Sequence, residues 1–137
     1  MAEKANKRKS WSLNEKITLY VRCGGRCSLC GSDLLRHHLT GDEGVYGELA
    51  HIVAHEPGGP RGNGKVPYDE RETIDNIIVL CHPCHKDMDD NPDKYPEEWL
   101  KEKKNTRERN AMMQQALPDT AARQAIVFTA PIAGKGI

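Results

Sequence analysis

Apolar side chains recur at helical spacing near the start of the chain, at positions Leu13, Ile17, Tyr20 and Val21. Ser12 lies just before them and Glu15 lies three residues after Ser12, which is the arrangement of a capping box at a helix N-terminus. Gly24 and Gly25 then interrupt the spacing. The pattern therefore predicts a helix over about residues 13–22.

The middle of the chain changes to short apolar stretches with the character of strands, Leu34–Leu39 and Gly47–Val53, with turn residues between them at positions 41–44. Residues 56–70 are rich in proline and glycine and predict a long surface loop, a kind of segment that is usually functional or mobile. A short apolar passage, Ile74–Leu80, follows the loop and ends at a cysteine.

Two more helices are predicted in the second half of the chain. The first covers His82–Asp90 and is broken by Pro92. The second opens at Pro96, has two acidic residues in its first turn and runs to about Gln115. Elements in this order predict a small α+β domain over residues 12–116, in which helices flank a central unit of strands and a helix.

Charge is distributed unevenly along the chain. Residues 1–36 contain eight Lys or Arg against three Asp or Glu, residues 37–98 contain five against fourteen, and residues 99–137 contain seven against three. Basic ends around an acidic, metal-attracting centre would suit an enzyme that acts on nucleic acids, although solvated helix faces and loops would give the same pattern.

Aromatic residues make up only 5%, so the core is thin and something besides burial is expected to stabilise the fold.

The two ends of the chain are expected to lie outside this domain. We expect a basic N-terminal segment over residues 1–11, and over residues 117–137 a linker with the start of a C-terminal domain absent from this chain. Residues 125–130 resemble a lone strand, which either folds back on the domain or belongs to that further domain, and we favour the second. Because no apolar run approaches the roughly 18 residues of a membrane span and no secretory signal is present, we expect a cytoplasmic protein.

Two Cys-x-x-Cys pairs give the strongest chemical signal, Cys27 with Cys30 and Cys81 with Cys84. Four thiolates in two such turns match a tetrahedral structural zinc site, in which metal binding supplies folding free energy. The fifty residues between the pairs exceed the spacing of a plain zinc ribbon and are expected to form an inserted functional segment. Redox-active cysteines and chance spacing are the competing interpretations. Cys23 is left over and is interpreted as a thiol at a helix end.

Three further residues are candidates for catalysis: His51, Asn76 and His85. His51 lies in a strand-like segment that enters the Pro/Gly loop, and His85 follows Cys84 at the start of a helix. Each of them alone is more often structural. Together, one histidine could ligate a cation while the other takes a proton from water, which metal-assisted hydrolysis of a phosphodiester requires.

The order of these residues resembles the HNH (ββα-metal) endonucleases. The resemblance covers roughly residues 20–90 and rests on Cys27-x-x-Cys30, Ala50-His51-Ile52, Gly58-Gly59, Asn76 and Leu80-Cys81-x-x-Cys84-His85. It implies a hairpin and a helix around one catalytic Mg²⁺ or Mn²⁺ ion, and products with 5′-phosphate and 3′-hydroxyl ends. It also implies that His51 is the general base, that Asn76 orients the His51 segment and the substrate, and that His85 is a metal ligand.

One position departs from the family pattern. The family usually has Asp or His immediately before the general base as a second metal ligand, and this chain has Ala50 there. Glu48 lies on the same side of the predicted strand as Ala50 and is our candidate to reach the metal, directly or through water. His55 is another candidate.

A narrower resemblance is to bacterial anti-phage effectors, in which an N-terminal HNH domain precedes a SAVED domain that senses cyclic oligonucleotides. It rests on residues 47–52, 57–62 and 74–76. It implies cleavage of double-stranded DNA with little sequence specificity, once the sensor brings copies of the chain together as a homo-oligomer. Candidate phosphate contacts are basic residues of the loop and the last helix, namely Arg61, Lys65, Lys101 and Lys104.

Two alternatives to this interpretation stay open. The chain could be a zinc-knuckle module that binds DNA or a partner without catalysis, with Ala50 as a trace of lost activity. It could also be an HNH nuclease of a phage or mobile element with a specific target.

Overall fold

The structure, a computed structural model, describes residues 10–117 and 119. This part of the chain is an α+β unit of three α-helices and one two-stranded antiparallel sheet. The elements in chain order are helix α1 (Leu13–Arg22), strand β1 (Glu48–His51), strand β2 (Ile77–Leu80), helix α2 (His82–Asp90) and helix α3 (Glu97–Ala116). None of the helices in the described part of the chain combines the length and the apolar composition that a membrane span needs. The strand predicted at residues 125–130 lies outside the described residues, as do residues 1–9.

The helices agree with the sequence predictions, and the capping box at the start of α1 is present. Ser12 Oγ accepts a hydrogen bond from the Glu15 N–H, and the Ser12 N–H donates to Glu15 Oε1, each at 3.1 Å. Leu19 is fully buried, whereas Leu13 and Ile17 are more than half exposed. Helix α1 therefore contacts the core through a narrow face.

Strands β1 and β2 pair antiparallel, with Glu48 opposite Leu80 and His51 opposite Ile77. Every residue of β2 is buried, and α2 begins directly after this strand with Cys81 as its N-cap. The order is therefore strand, strand, helix. The core contains apolar side chains from all of these elements, chiefly Leu19, Leu34, Ile52, Val53, Ile77, Ile78, Val79, Leu80, Met88 and Leu100.

The predicted strand at Leu34–Leu39 is wrong, because this region contains isolated bridges and no ladder. Side chains bind the backbone here instead. The Asp33 carboxylate accepts a hydrogen bond from the Leu35 N–H at 2.8 Å, and His37 Nδ1 accepts one from the Leu39 N–H at 3.2 Å. Such bonds favour turns over strands.

The other predicted strand, Gly47–Val53, is confirmed over Glu48–His51 only. Beyond His51 the backbone leaves the ladder, and the Val53 N–H donates to Asn76 Oδ1 at 3.0 Å. A buried polar side chain thus replaces the strand partner that the sequence pattern would require.

The buried guanidinium of Arg71 holds the Pro/Gly loop after β1 through hydrogen bonds to backbone carbonyls. Arg71 Nη1 donates to Ala54 O at 3.2 Å and to Gly62 O at 2.8 Å, and its Nε donates to Val66 O at 3.1 Å. Gly62 is required where the loop folds on itself, because an added Cβ would lie 2.2 Å from Pro57 O. The loop is therefore a packed part of the fold.

Candidate metal centre and histidine cavity

The two Cys-x-x-Cys turns meet in the structure. The Sγ atoms of four cysteines lie within 4.8 Å of one another, and those of Cys30 and Cys81 are 3.7 Å apart; the other two are Cys27 and Cys84. Sulfur ligands bonded at about 2.3 Å to a tetrahedral zinc ion would be roughly 3.8 Å apart. The cluster could therefore hold a metal ion such as zinc. Within residues 10–117 and 119, it is the one group of three or more His, Cys, Asp or Glu that is this close.

The electrostatics of the cluster favour a cation. Burial raises the pKa of Cys84 well above its usual range, and interactions with Cys81 and Cys27 raise it further. Burial alone would raise the pKa of Cys30 as well, but hydrogen bonds with Ser32 and the neighbouring thiols outweigh burial and lower the pKa of Cys30 to about 7. Four thiolates at this spacing would repel one another, and a divalent cation would remove that repulsion.

Backbone hydrogen bonds attach the first cysteine turn to the sheet. The Ser28 N–H donates to Val79 O at 3.0 Å, just before the second turn begins. Gly31 has a φ of 76°, and its N–H donates to Cys27 O at 2.9 Å, which closes the first turn. The fifth cysteine, Cys23, is the C-cap of α1, as predicted, and is not part of the cluster.

A cavity of about 120 Å³ brings together the two histidines that the sequence singled out. His51, His85 and Asp89 provide its polar groups, and the remaining lining residues are Leu49, Ala50, Ala54 and Pro60. This is possible because α2, which begins after Cys81, contacts β1. The cavity is large enough to hold a few water molecules, or a cation with water ligands, but little more.

His85 lies between two carboxylates. Its Nδ1 is 2.9 Å from Glu48 Oε1, and its Nε2 is 3.3 Å from Asp89 Oδ2. Neighbouring ligands of one cation are roughly 3 Å apart when each bond is about 2.1 Å, so His85 Nε2 and Asp89 have the spacing of a ligand pair. Glu48 contacts the opposite ring nitrogen and does not line the cavity.

Glu48 also contacts the Nδ1 atom of His82, at 3.1 Å. Partial burial alone would raise the pKa of Glu48, but hydrogen bonds from His85 and His82 outweigh burial and lower it. In this structure the Glu48 carboxylate thus contacts two imidazoles from outside the cavity.

His51 ends β1 and faces another carboxylate. His51 Nε2 lies 3.1 Å and 3.2 Å from the two oxygens of Glu72. His55, the other candidate for the missing metal ligand, faces the same carboxylate, with its Nδ1 2.5 Å from Glu72 Oε1. His55 is not among the residues that line the cavity.

Asn76 is buried and joins the two ends of the loop. Its Oδ1 accepts from the Val53 N–H at 3.0 Å, and its Nδ2 donates to Val53 O at 2.8 Å and to Arg71 O at 2.9 Å. The Ile52 N–H donates to the backbone oxygen of Asn76 at 2.8 Å. The residues that directly follow His51 are therefore fixed by Asn76.

The four basic residues predicted to contact phosphate differ in their surroundings. Lys104 is 6% exposed, and its Nζ pairs with the glutamate one turn along α3 at 2.6 Å. Arg61 Nε donates to a loop carbonyl at 2.6 Å, and burial lowers the pKa of its guanidinium. Lys101 is half-buried in an ion pair with a glutamate at 2.6 Å. Lys65 is exposed.

Two acidic residues of the site, Asp89 and Glu72, were not singled out by the sequence. Asp89 follows His85 by four residues on one helix, and that spacing places both on the same face, so the signal was present. Glu72 lies 21 residues from His51 in a loop, where no periodic pattern applies.

No protein-family model matches the chain, and no curated protein matches it.

Proposed function

We propose that this chain is a metal-dependent endonuclease of the HNH type that hydrolyses phosphodiester bonds of double-stranded DNA. The observation that carries the proposal is the shared cavity of His51, His85 and Asp89 between β1 and α2. A histidine base that faces a pair of cation ligands is what attack of water on a phosphodiester requires. In this proposal the four cysteines bind structural zinc, which holds the start of α2 and with it His85.

The chemistry assigned to the chain's own residues is simple. His51 takes a proton from water, and the resulting hydroxide attacks phosphorus as the bond from phosphorus to the 3′ oxygen breaks. His85 and Asp89 would hold a divalent cation, which when bound stabilises negative charge on the phosphate and on the leaving oxygen. Glu48 orients His85 through Nδ1, as carboxylates behind metal-bound histidines commonly do.

The donor set has a consequence for the metal. Mg²⁺ prefers oxygen ligands in near-ideal octahedral geometry, whereas Mn²⁺ accepts imidazole more readily. His85 supplies one nitrogen, and Ala50 supplies no ligand, so solvent would have to complete the coordination sphere. Mn²⁺ is therefore expected to support faster cleavage than Mg²⁺.

The proposal includes a biological role that is supported by sequence resemblance alone. In that role the chain is the nuclease of a cytoplasmic anti-phage effector, activated when a SAVED domain binds a cyclic oligonucleotide and oligomerises the protein. The reading frame that follows residue 137 tests this part. A SAVED-type domain encoded there supports the role, and an immediate stop codon contradicts it.

The test of the nuclease is plasmid cleavage by the zinc-loaded chain with Mn²⁺ or Mg²⁺. His51→Ala should lower the cleavage rate at least about 100-fold, the lower end of what a general base contributes. His38→Ala is the matched control, because His38 is an exposed histidine that does not line the cavity. Circular dichroism and zinc content show whether each variant is folded.

Two results would contradict the proposal. If the folded, zinc-loaded chain leaves plasmid intact with either metal but binds DNA, the non-catalytic binding module is the better conclusion. If His51→Ala cleaves as fast as His38→Ala, another group is the base.

A further inference from the structure

The Glu72 carboxylate joins the partly buried His51 to the buried His55. Both of its oxygens lie within 3.2 Å of His51 Nε2, and Oε1 also lies 2.5 Å from His55 Nδ1. The side-chain exposed fractions are 10% for His51, 6% for His55 and 19% for Glu72, so little water competes for these contacts. Electrostatic and hydrogen-bonding interactions are stronger in such a partly desolvated place than at the surface.

Buried neighbours on both sides fix the backbone that carries Glu72. Arg71 donates to the carbonyls of Ala54 and Gly62. Asn76 donates to Arg71 O, at 2.9 Å. Glu72 is therefore held against His51 by the same contacts that hold the loop to the sheet.

We propose that Glu72 is a positioning residue that determines which ring nitrogen of His51 carries the proton. An ionised carboxylate only accepts hydrogen bonds, so neutral His51 presents an Nε2–H group to it. His51 Nδ1 then keeps the lone pair and is the nitrogen that takes a proton from water. Glu72 also stabilises the imidazolium that forms, through the 3.1 Å contact.

His55 makes the arrangement more rigid. Its Nδ1 contacts Oε1 while His51 Nε2 lies near both oxygens, so the carboxylate is restrained from two directions. The catalytic consequence rests on the proposed nuclease function, but the choice of the protonated nitrogen does not. The two can therefore be tested separately.

The direct test is the ¹⁵N spectrum of histidine-labelled protein, in which the two neutral forms of imidazole are resolved. In the native chain, the neutral imidazole of His51 should carry its single ring N–H proton on Nε2. Glu72→Gln introduces an NH₂ donor at the same place, and the Nδ1-protonated form of His51 should then dominate. Glu70→Gln is the matched control, because it removes a carboxylate that is exposed nearby. An unchanged His51 form in Glu72→Gln overturns the inference.

The kinetic test separates positioning from general damage. Glu72→Gln should lower kcat for plasmid cleavage by roughly 10²- to 10⁴-fold, the range expected when a general base is held in the wrong tautomer, with KM nearly unchanged. Glu72→Asp keeps a carboxylate as hydrogen-bond acceptor and should recover part of the loss in kcat. If the Glu72→Gln protein does not fold, Glu72→Asp is tested in its place. A folded Glu72→Gln protein with native kcat overturns the inference. If the native chain does not cleave at all, the proposed function fails, and the ¹⁵N spectra still decide the role of Glu72.

Discussion

Removal of the Asn76 side chain amide should destabilise the whole unit, because this one buried group binds both ends of the Pro/Gly loop. It makes three hydrogen bonds, of 2.8 Å to 3.0 Å, with the Val53 N–H, Val53 O and Arg71 O. Asn76 is 2% exposed, so water cannot replace these bonds without opening the structure. Asn76→Ala is the perturbation that isolates them.

The magnitude follows from the number of bonds. Each hydrogen bond contributes about 1 kcal/mol net, and a buried partner left unsatisfied costs about 1–3 kcal/mol. Three bonds, with the unpaired groups of Val53 and Arg71 left behind, give an expected loss of about 3–5 kcal/mol. Because a domain has only about 5–15 kcal/mol of unfolding free energy, the variant should be close to unfolding at 37 °C.

The assay is urea unfolding followed by circular dichroism, with zinc present in excess for every variant. Asn105→Ala is the matched control, since Asn105 is exposed on α3, and its unfolding free energy should change by less than about 0.5 kcal/mol. A loss below about 1 kcal/mol for Asn76→Ala would refute the reasoning, because it would mean that the loop is not anchored through this amide.

Three further predictions concern metal and pH. Chelation of zinc, or Cys84→Ser, should abolish the cooperative unfolding transition seen by circular dichroism, because the four-cysteine cluster supplies stability that a thin core lacks. The pKa of Glu48 is lowered from 4.5 in the folded state, so its contribution to stability is present above that value and lost as the pH falls through the folded pKa. The difference in urea unfolding between native protein and Glu48→Gln should therefore persist at pH 7 and shrink below about pH 4.3. The hydrogen bond to Asp87 raises the pKa of Tyr95 from 10.0 to about 12, so its contribution is present below pH 10 and lost as the pH rises towards 12. Ultraviolet absorbance should show this phenol titrating near pH 12 in the native chain and near pH 10 in Asp87→Asn.

Local signals explain which parts of the fold were predictable from sequence. The helix α1 was predicted because a capping box and two glycines mark its ends. The cysteine cluster was predicted because each Cys-x-x-Cys turn is a local motif, and chemistry then requires the two turns to meet. The helices α2 and α3 were predicted from prolines near their boundaries and from acidic residues at the start of α3.

The remaining differences come from side-chain contacts that the spacing of apolar and polar residues does not show. Residues 34–39 have the character of a strand in the sequence, but the side chains of Asp33 and His37 bind the local backbone, and no ladder forms. Lys104 is a candidate phosphate contact from the sequence, and in the structure it is 6% exposed with its Nζ on Glu108. Glu72 and His51 are brought together only by the folded loop, over 21 residues. The contact between Glu72 and His51 depends on tertiary structure, so no local spacing could reveal it.

The two halves of the site are held by different anchors, and this separates the effects of the predicted perturbations. His85 projects from the first turn of α2, whose N-cap is Cys81, so its position depends on the cysteine cluster. His51 is fixed from the loop side by Glu72, and the residues after it are fixed by Asn76. The pairing of β1 with β2 links the halves, because the last residue of β1 lies opposite the first residue of β2. Weakening of the loop should therefore disturb His51 before His85 and Asp89, whereas loss of a metal ion from the cysteine cluster should disturb His85 and Asp89 first.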